Sequence, residues 1–299
     1  MRWRPSRQIQ VEDRRGSGGL GGLGGLRMGG GGGGMGIPIP MGGGIGGIIL
    51  VIIIIVVLNL LGGGGGTIPS GGLQGAKGGA IASLSAEDNM GQYVNAVTVD
   101  VQTFWEGEFA ARGSDYPETT TVLFTDGTQS GCGAASSATG PFYCPADRQV
   151  YLDTAFFDDL RSRFGAPGDF AQAYVIAHEY GHHVQNVLGT MAQVQGSGNS
   201  NEQSIRLELQ ADCYAGMWAN EVWSSPDQSE VESITEADVR EAINAAEAVG
   251  DDRIQEQATG TVNPETWTHG SADQRAKWFN TGFRQGSLEA CDTFAVANP

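Results

Sequence analysis

The run His178-Glu179-Tyr180-Gly181-His182 constrains this chain more than any other stretch, because its spacing has a use only on a helix. Four residues apart, two imidazoles leave one helical face a turn apart and can share one divalent ion, with Glu179 beside the ion rather than on it. The flanks agree with a helix. Pro167-Gly168-Asp169-Phe170 reads as a start with Asp169 as N-cap, and Gly189 follows Val184, Val187 and Leu188 as a stop. A helix from Phe170 to Leu188 is thus predicted from its own ends.

Histidine usage sharpens the point. The chain has four histidines, and three of them are His178, His182 and His183. The competing reading is a pair of buried, hydrogen-bonded core histidines, and it weakens once a third ligand is found. His183 leaves the helix roughly 100° from His182, so it is expected to pack rather than ligate.

A catalytic zinc ion takes three protein ligands and keeps a fourth position for water. Past a polar loop at Gln195 to Asn201, Ser200 and Gln203 form a candidate capping box, and apolar residues recur at Ile205, Leu209, Cys213 and Met217. On that second helix Glu208 and Asp212 share a face. Glu208 is the expected third ligand. Asp212 is the expected acceptor for the free ring N–H of a ligating histidine. Taken without the first helix, the two acids would read as an ordinary solvated pair.

H-E-x-x-H followed by E-x-x-x-D on the next helix resembles the glutamate-ligand zinc peptidases, the gluzincins. Four longer stretches narrow the likeness: Gly140 to Asp147, Phe164 to Gln172, Leu207 to Gly216 and Thr268 to Ser271. With them the chain resembles the putative neutral zinc metallopeptidase family of bacterial membrane-anchored proteins, over roughly Ser85 to Phe294 and in its Gly-rich N-terminus. The resemblance implies a zincin-like fold, one Zn²⁺, and a peptide or protein substrate. On that reading His178, His182 and Glu208 hold zinc, and Glu179 is the general base for an activated water. The alternative is a non-catalytic exported module that binds metal or a partner only.

His269 lies in a Thr-His-Gly-Ser turn before a helix. It is a candidate donor to the oxyanion, weighed against a capping or surface histidine. Peptidases of this type hold an extended substrate against a strand edge. Gln149-Val150-Tyr151-Leu152, just upstream of the motif helix, is the expected substrate strand.

The region after residue 84 patterns as a mostly helical α+β domain with a small sheet, over 85–299. Helices are expected from Ser85 toward Arg112, Asp153 to Phe164, Thr235 to Val249 and Ser271 to Gln285, and a further strand at Thr119 to Phe124. The N-terminal part is a different material. Residues 1–44 are rich in Arg and Gly and are expected to be a disordered cytoplasmic segment. Ile45 to Leu61 is almost unbroken Ile, Val and Leu, about 25 Å long as a helix, and is expected to be a single transmembrane helix. A Gly-rich linker, 62–84, follows. Arg2, Arg4, Arg7, Arg14, Arg15 and Arg27 precede the apolar run against only Glu12 and Asp13. The positive-inside rule then puts the N-terminus in the cytoplasm and the catalytic domain outside the cell membrane.

The net charge is −17, and the arginine-rich start makes the remainder more acidic still. Such a domain is not expected to bind nucleic acid. All four cysteines follow the apolar run. Four allow three pairings, and an exported domain permits disulfides. Cys132 and Cys144 bracket a short Gly/Ser/Ala loop, which favours that pair together with Cys213–Cys291.

Overall fold

The computed structural model describes residues 1–15, 88–137, 139–197, 200–226 and 230–299. The expected membrane helix at 45–61 and the linker at 62–84 lie outside these residues. Among the described residues, no helix is long and apolar enough to cross a membrane.

A four-stranded sheet, ordered β1-β2-β6-β5, packs against a helical layer. Its strands are β1 (Val11–Asp13), β2 (Thr121–Phe124), β5 (Phe142–Cys144) and β6 (Gln149–Asp153). β1, β2 and β6 run parallel, and β5 is antiparallel to β6. A separate hairpin joins β3 (Gly127–Ser130) to β4 (Gly133–Ser136). The helices are α1 (Asn89–Ala111), α2 (Thr154–Ser162), α3 (Asp169–Val187), α4 (Thr190–Gly196), α5 (Asn201–Ser224), α6 (Glu236–Ala248), α7 (Asp251–Thr259) and α8 (Ala272–Gln285). This is the helix-rich α+β arrangement expected from the pattern.

Helix starts follow local chemistry. Asp88 accepts the Gly91 N–H, Asp153 accepts the Ala155 N–H, and reciprocal capping boxes pair Ser200 with Gln203, Thr235 with Asp238 and Ser271 with Gln274. The motif helix differs. Its N-cap is Gly168, Asp169 is already helical, and the Phe170 N–H is met by Glu241 of α6 at 3.3 Å. A Cβ at position 168 would collide with that same carboxylate, so a tertiary partner has taken over the capping role assigned to Asp169.

Helices α5 and α8 pack closely in the core. A Cβ on Gly282 of α8 would lie 1.9 Å from the Cys213 carbonyl oxygen, and one on Gly216 of α5 would lie 2.1 Å from the Phe279 carbonyl oxygen. The absence of both lets α5 and α8 touch backbone to backbone. Both favoured disulfides are present. Cys132–Cys144 ties the β3–β4 hairpin to β5 (Cα–Cα 5.8 Å), and Cys213–Cys291 ties α5 to the tail (Cα–Cα 5.5 Å).

Residues 1–15 correct one expectation. They were assigned to a disordered segment, yet they lie on the domain and supply β1, with Val11 in the core. Their arginines find partners within the chain: Arg14 pairs with Glu12, and Arg15 with Asp13 and Asp88.

Candidate metal centre

Helix α3 carries His178, Glu179 and His182, and α5 carries Glu208 and Asp212. Tyr180 and Gly181, between Glu179 and His182, explain how the helices are set. Tyr180 is fully buried and its hydroxyl meets Thr121 of β2 at 2.9 Å, which fixes α3 against the sheet. Gly181 faces α5, where a Cβ would stand 3.0 Å from the Ala211 Cα. That close approach brings the carboxyl of Glu208 to the histidines.

His178 Nε2 lies 3.2 Å from Glu208 Oε2, and His182 Nε2 lies 3.5 Å from Glu208 Oε1. One ligand atom from each of the three residues falls within 4.8 Å of the others. The outer nitrogens are already engaged: His178 Nδ1 with Asp212 Oδ1 at 2.8 Å, and His182 Nδ1 with Gln185 Oε1 at 2.9 Å. With each Nδ1 engaged outward, both Nε2 atoms face one point, the orientation that metal ligation needs. Two imidazoles and one carboxylate fit a catalytic zinc site, which takes three protein ligands, whereas closed structural sites use four.

The electrostatics agree. Burial would lower the His178 pKa, but Asp212 and Glu208 outweigh it and raise it to about 10. Burial would raise Glu208, but His182, His269 and His178 hold it well below the usual carboxylate range. A field that retains a proton between these groups also favours a divalent cation, which would displace it. Glu179 is buried, and desolvation pushes its carboxyl up against the opposing pull of His182 and His178.

A second layer locks these side chains. Asp212 is fully buried and accepts from Arg275 Nε at 2.8 Å, Arg275 Nη2 at 2.9 Å and the Tyr174 hydroxyl at 2.5 Å. Burial would raise Asp212, and Arg275 with His178 reverses that, so it stays ionised. Gln185 is held in turn by donating to the Leu207 carbonyl at 2.7 Å. Arg275, Tyr174 and Gln185 were not foreseen. Only Gln185 left a trace in the sequence, standing one turn after His182.

His269 is partly buried, and its Nδ1 donates to Asp251 Oδ1 at 3.2 Å. Asp251 also accepts the backbone N–H groups of Thr268, His269 and Gly270. Burial would lower the His269 pKa, but Glu208 and Asp251 raise it. It is therefore an oriented histidine within electrostatic reach of Glu208, not a surface one. His183 plays no part at the centre. Its Nε2 donates to the Pro117 carbonyl at 2.7 Å, and its Nδ1 accepts from Tyr143 at 3.1 Å.

The expected substrate strand needs correction. Gln149, Val150, Tyr151 and Leu152 lie in β6, an inner strand paired with β2 on one side and β5 on the other, so it has no edge to offer. The chain turns back through Asp147 and Arg148 (φ 59°), which places β5 outside it. The edge strands are β1 and β5; β5, Phe142 to Cys144, is the one beside β6, and the Tyr143 hydroxyl ties it to α3 through His183 and Asn186.

The sequence profile of a family described as "Putative neutral zinc metallopeptidase" matches residues 1–294. The uncharacterized protein YpfJ of Escherichia coli strain K12 is 40% identical over 303 residues, covering 98% of this chain and 99% of its own. The uncharacterized protein Rv2575 of Mycobacterium tuberculosis strain H37Rv is 51% identical over 182 residues, 59% of this chain and 62% of its own. No solved structure matches the chain.

Proposed function

The chain belongs to the putative neutral zinc metallopeptidase family, and from that premise we propose that it hydrolyses peptide bonds at the centre formed by His178, His182 and Glu208. The observation that carries this reading is the convergence of three ligand atoms beside a buried, otherwise unassigned carboxylate, Glu179. His178, His182 and Glu208 would hold one zinc ion, with Asp212 and Gln185 fixing the rings. Zinc, when bound, supplies a Lewis acid that acidifies water and polarises a carbonyl.

The chain's own groups do the rest. Glu179 takes the proton of the attacking water and returns it to the leaving amine, a task helped by a carboxyl raised through burial. His269, held through Nδ1 by Asp251, offers Nε2–H to the developing oxyanion. The open edge of β5 would hold an extended peptide by main-chain hydrogen bonds. The two disulfides support an oxidising, extracytoplasmic location for the domain. The apolar run Ile45 to Leu61 is proposed as its attachment to the cell membrane.

Metal analysis of the purified full chain, paired with a peptide-library digest, tests the proposal. Glu179→Gln should keep one zinc per chain and lose hydrolysis by about 10²–10⁴-fold. His178→Ala should lose both. Full turnover by Glu179→Gln would overturn the assignment of the base. A zinc-loaded wild type inert on every peptide would leave a binding module.

A further inference from the structure

The N-terminal arm is bound to the domain along its whole described length. The Arg2 N–H donates to the Ser233 carbonyl at 3.0 Å, and the Arg4 N–H to the Glu230 carbonyl at 2.9 Å. Trp3 packs edge-on against Tyr93 of α1, with ring centroids 5.6 Å apart. Val11, Glu12 and Asp13 then pair in register with Thr121, Val122 and Leu123 of β2.

Helix α1 is built to receive the arm. Asn95 is fully buried. Its amide is satisfied from both ends by the arm's backbone, accepting from the Gln10 N–H at 2.9 Å and donating to the Gln8 carbonyl at 2.8 Å. Two turns on, buried Gln102 donates to Gln10 Oε1 at 2.7 Å. Buried amides without partners are costly, so Asn95 makes sense only with the arm in place, and Gln102, whose Oε1 accepts the Thr119 N–H at 2.7 Å, takes its second partner from the arm. The family match begins at residue 1 and so takes in the arm.

The ends of the intervening chain also meet. Arg15 closes the arm and Asp88 opens the domain as the N-cap of α1. The two form an ion pair, with Arg15 Nη1 donating to Asp88 Oδ1 at 3.2 Å. Arg15 and Asp88, which flank that stretch, therefore sit together on the domain.

We propose that residues 1–15 are an integral part of the domain, docked in cis, and that arm and domain lie on the same side of any membrane touched by the segment between them. A chain that crosses a bilayer once cannot bring Arg15 to Asp88. Neither claim depends on the peptidase reading.

Two measurements on the full-length chain test the proposal. Arg7 and Gln257 are both exposed. In intact cells a membrane-impermeant maleimide should label Arg7→Cys and Gln257→Cys to the same extent, or reach both only after permeabilisation. Labelling of one with protection of the other would overturn the shared side. Arg2→Cys paired with Ser233→Cys, oxidised in dilute purified protein, should close a bond within one chain. A link between two chains, or no link, would overturn docking in cis.

Discussion

Gly181 and Ala211 meet backbone to backbone, with the missing Cβ of the glycine only 3.0 Å from the alanine Cα. That contact sets the separation between the helix bearing two histidines and the helix bearing Glu208. Gly181→Ala should therefore act on the metal centre as well as on packing. A loss of about 1–3 kcal/mol in urea unfolding is expected from overpacking, with weaker zinc uptake at equilibrium. Unchanged zinc affinity would show that another contact sets the spacing.

Asp212 joins His178 to Arg275 in a buried cluster. Asp212→Asn should weaken zinc binding about 10–100-fold. It should also destabilise the fold by about 3–5 kcal/mol, because Arg275 is left as an uncompensated buried cation. Adding Arg275→Met should restore much of the stability without restoring the affinity. If the double variant is no more stable than the single, the cost does not come from the stranded guanidinium.

His269→Ala separates an oxyanion donor from a turn residue. Loss of a donor should lower kcat by about 10²–10³-fold with little change in KM or zinc content. Asp251→Asn should move in the same direction through loss of orientation. Wild-type kcat in the alanine variant would return His269 to a structural role.

His183 gives a pH prediction that cancels the rest of the site. Burial lowers its folded pKa below 6.5, because the neutral ring fits between Pro117 and Tyr143. The folded value is depressed, so its stabilising contribution is complete above the unfolded pKa and is lost as pH falls through the folded one. The stability difference between wild type and His183→Asn should therefore shrink as pH drops below 6.5. Urea midpoints across that range measure it, and a constant difference would contradict the neutral ring.

The sequence was most informative where short-range chemistry decides. His178, His182, Glu208 and Asp212 were assigned from i,i+4 spacing, and Ser200, Thr235 and Ser271 start their helices as side-chain caps should. It was silent where partners come from afar. Asp169 is not the cap, because Glu241 of another helix takes that place. Gln149 to Leu152 were rightly read as a strand but wrongly as an edge, since strand order is fixed by a hairpin that periodicity does not show. Arg275 and Tyr174 looked like any helix residues, although Arg275 follows the His269 turn closely. Residues 1–15 read as tether because three-residue β1 is too short to pattern, and its pairing partner lies more than a hundred residues away.

The Cys213–Cys291 bond sits one residue beyond Asp212, at the back of the helix that presents Glu208. Thiol reductants, added by habit to purification buffers, would cut the tether behind one wall of the metal centre while leaving every ligand chemically intact. Zinc titrations made in their presence would report on a slackened helix pair, so oxidised protein is the right material for affinity work.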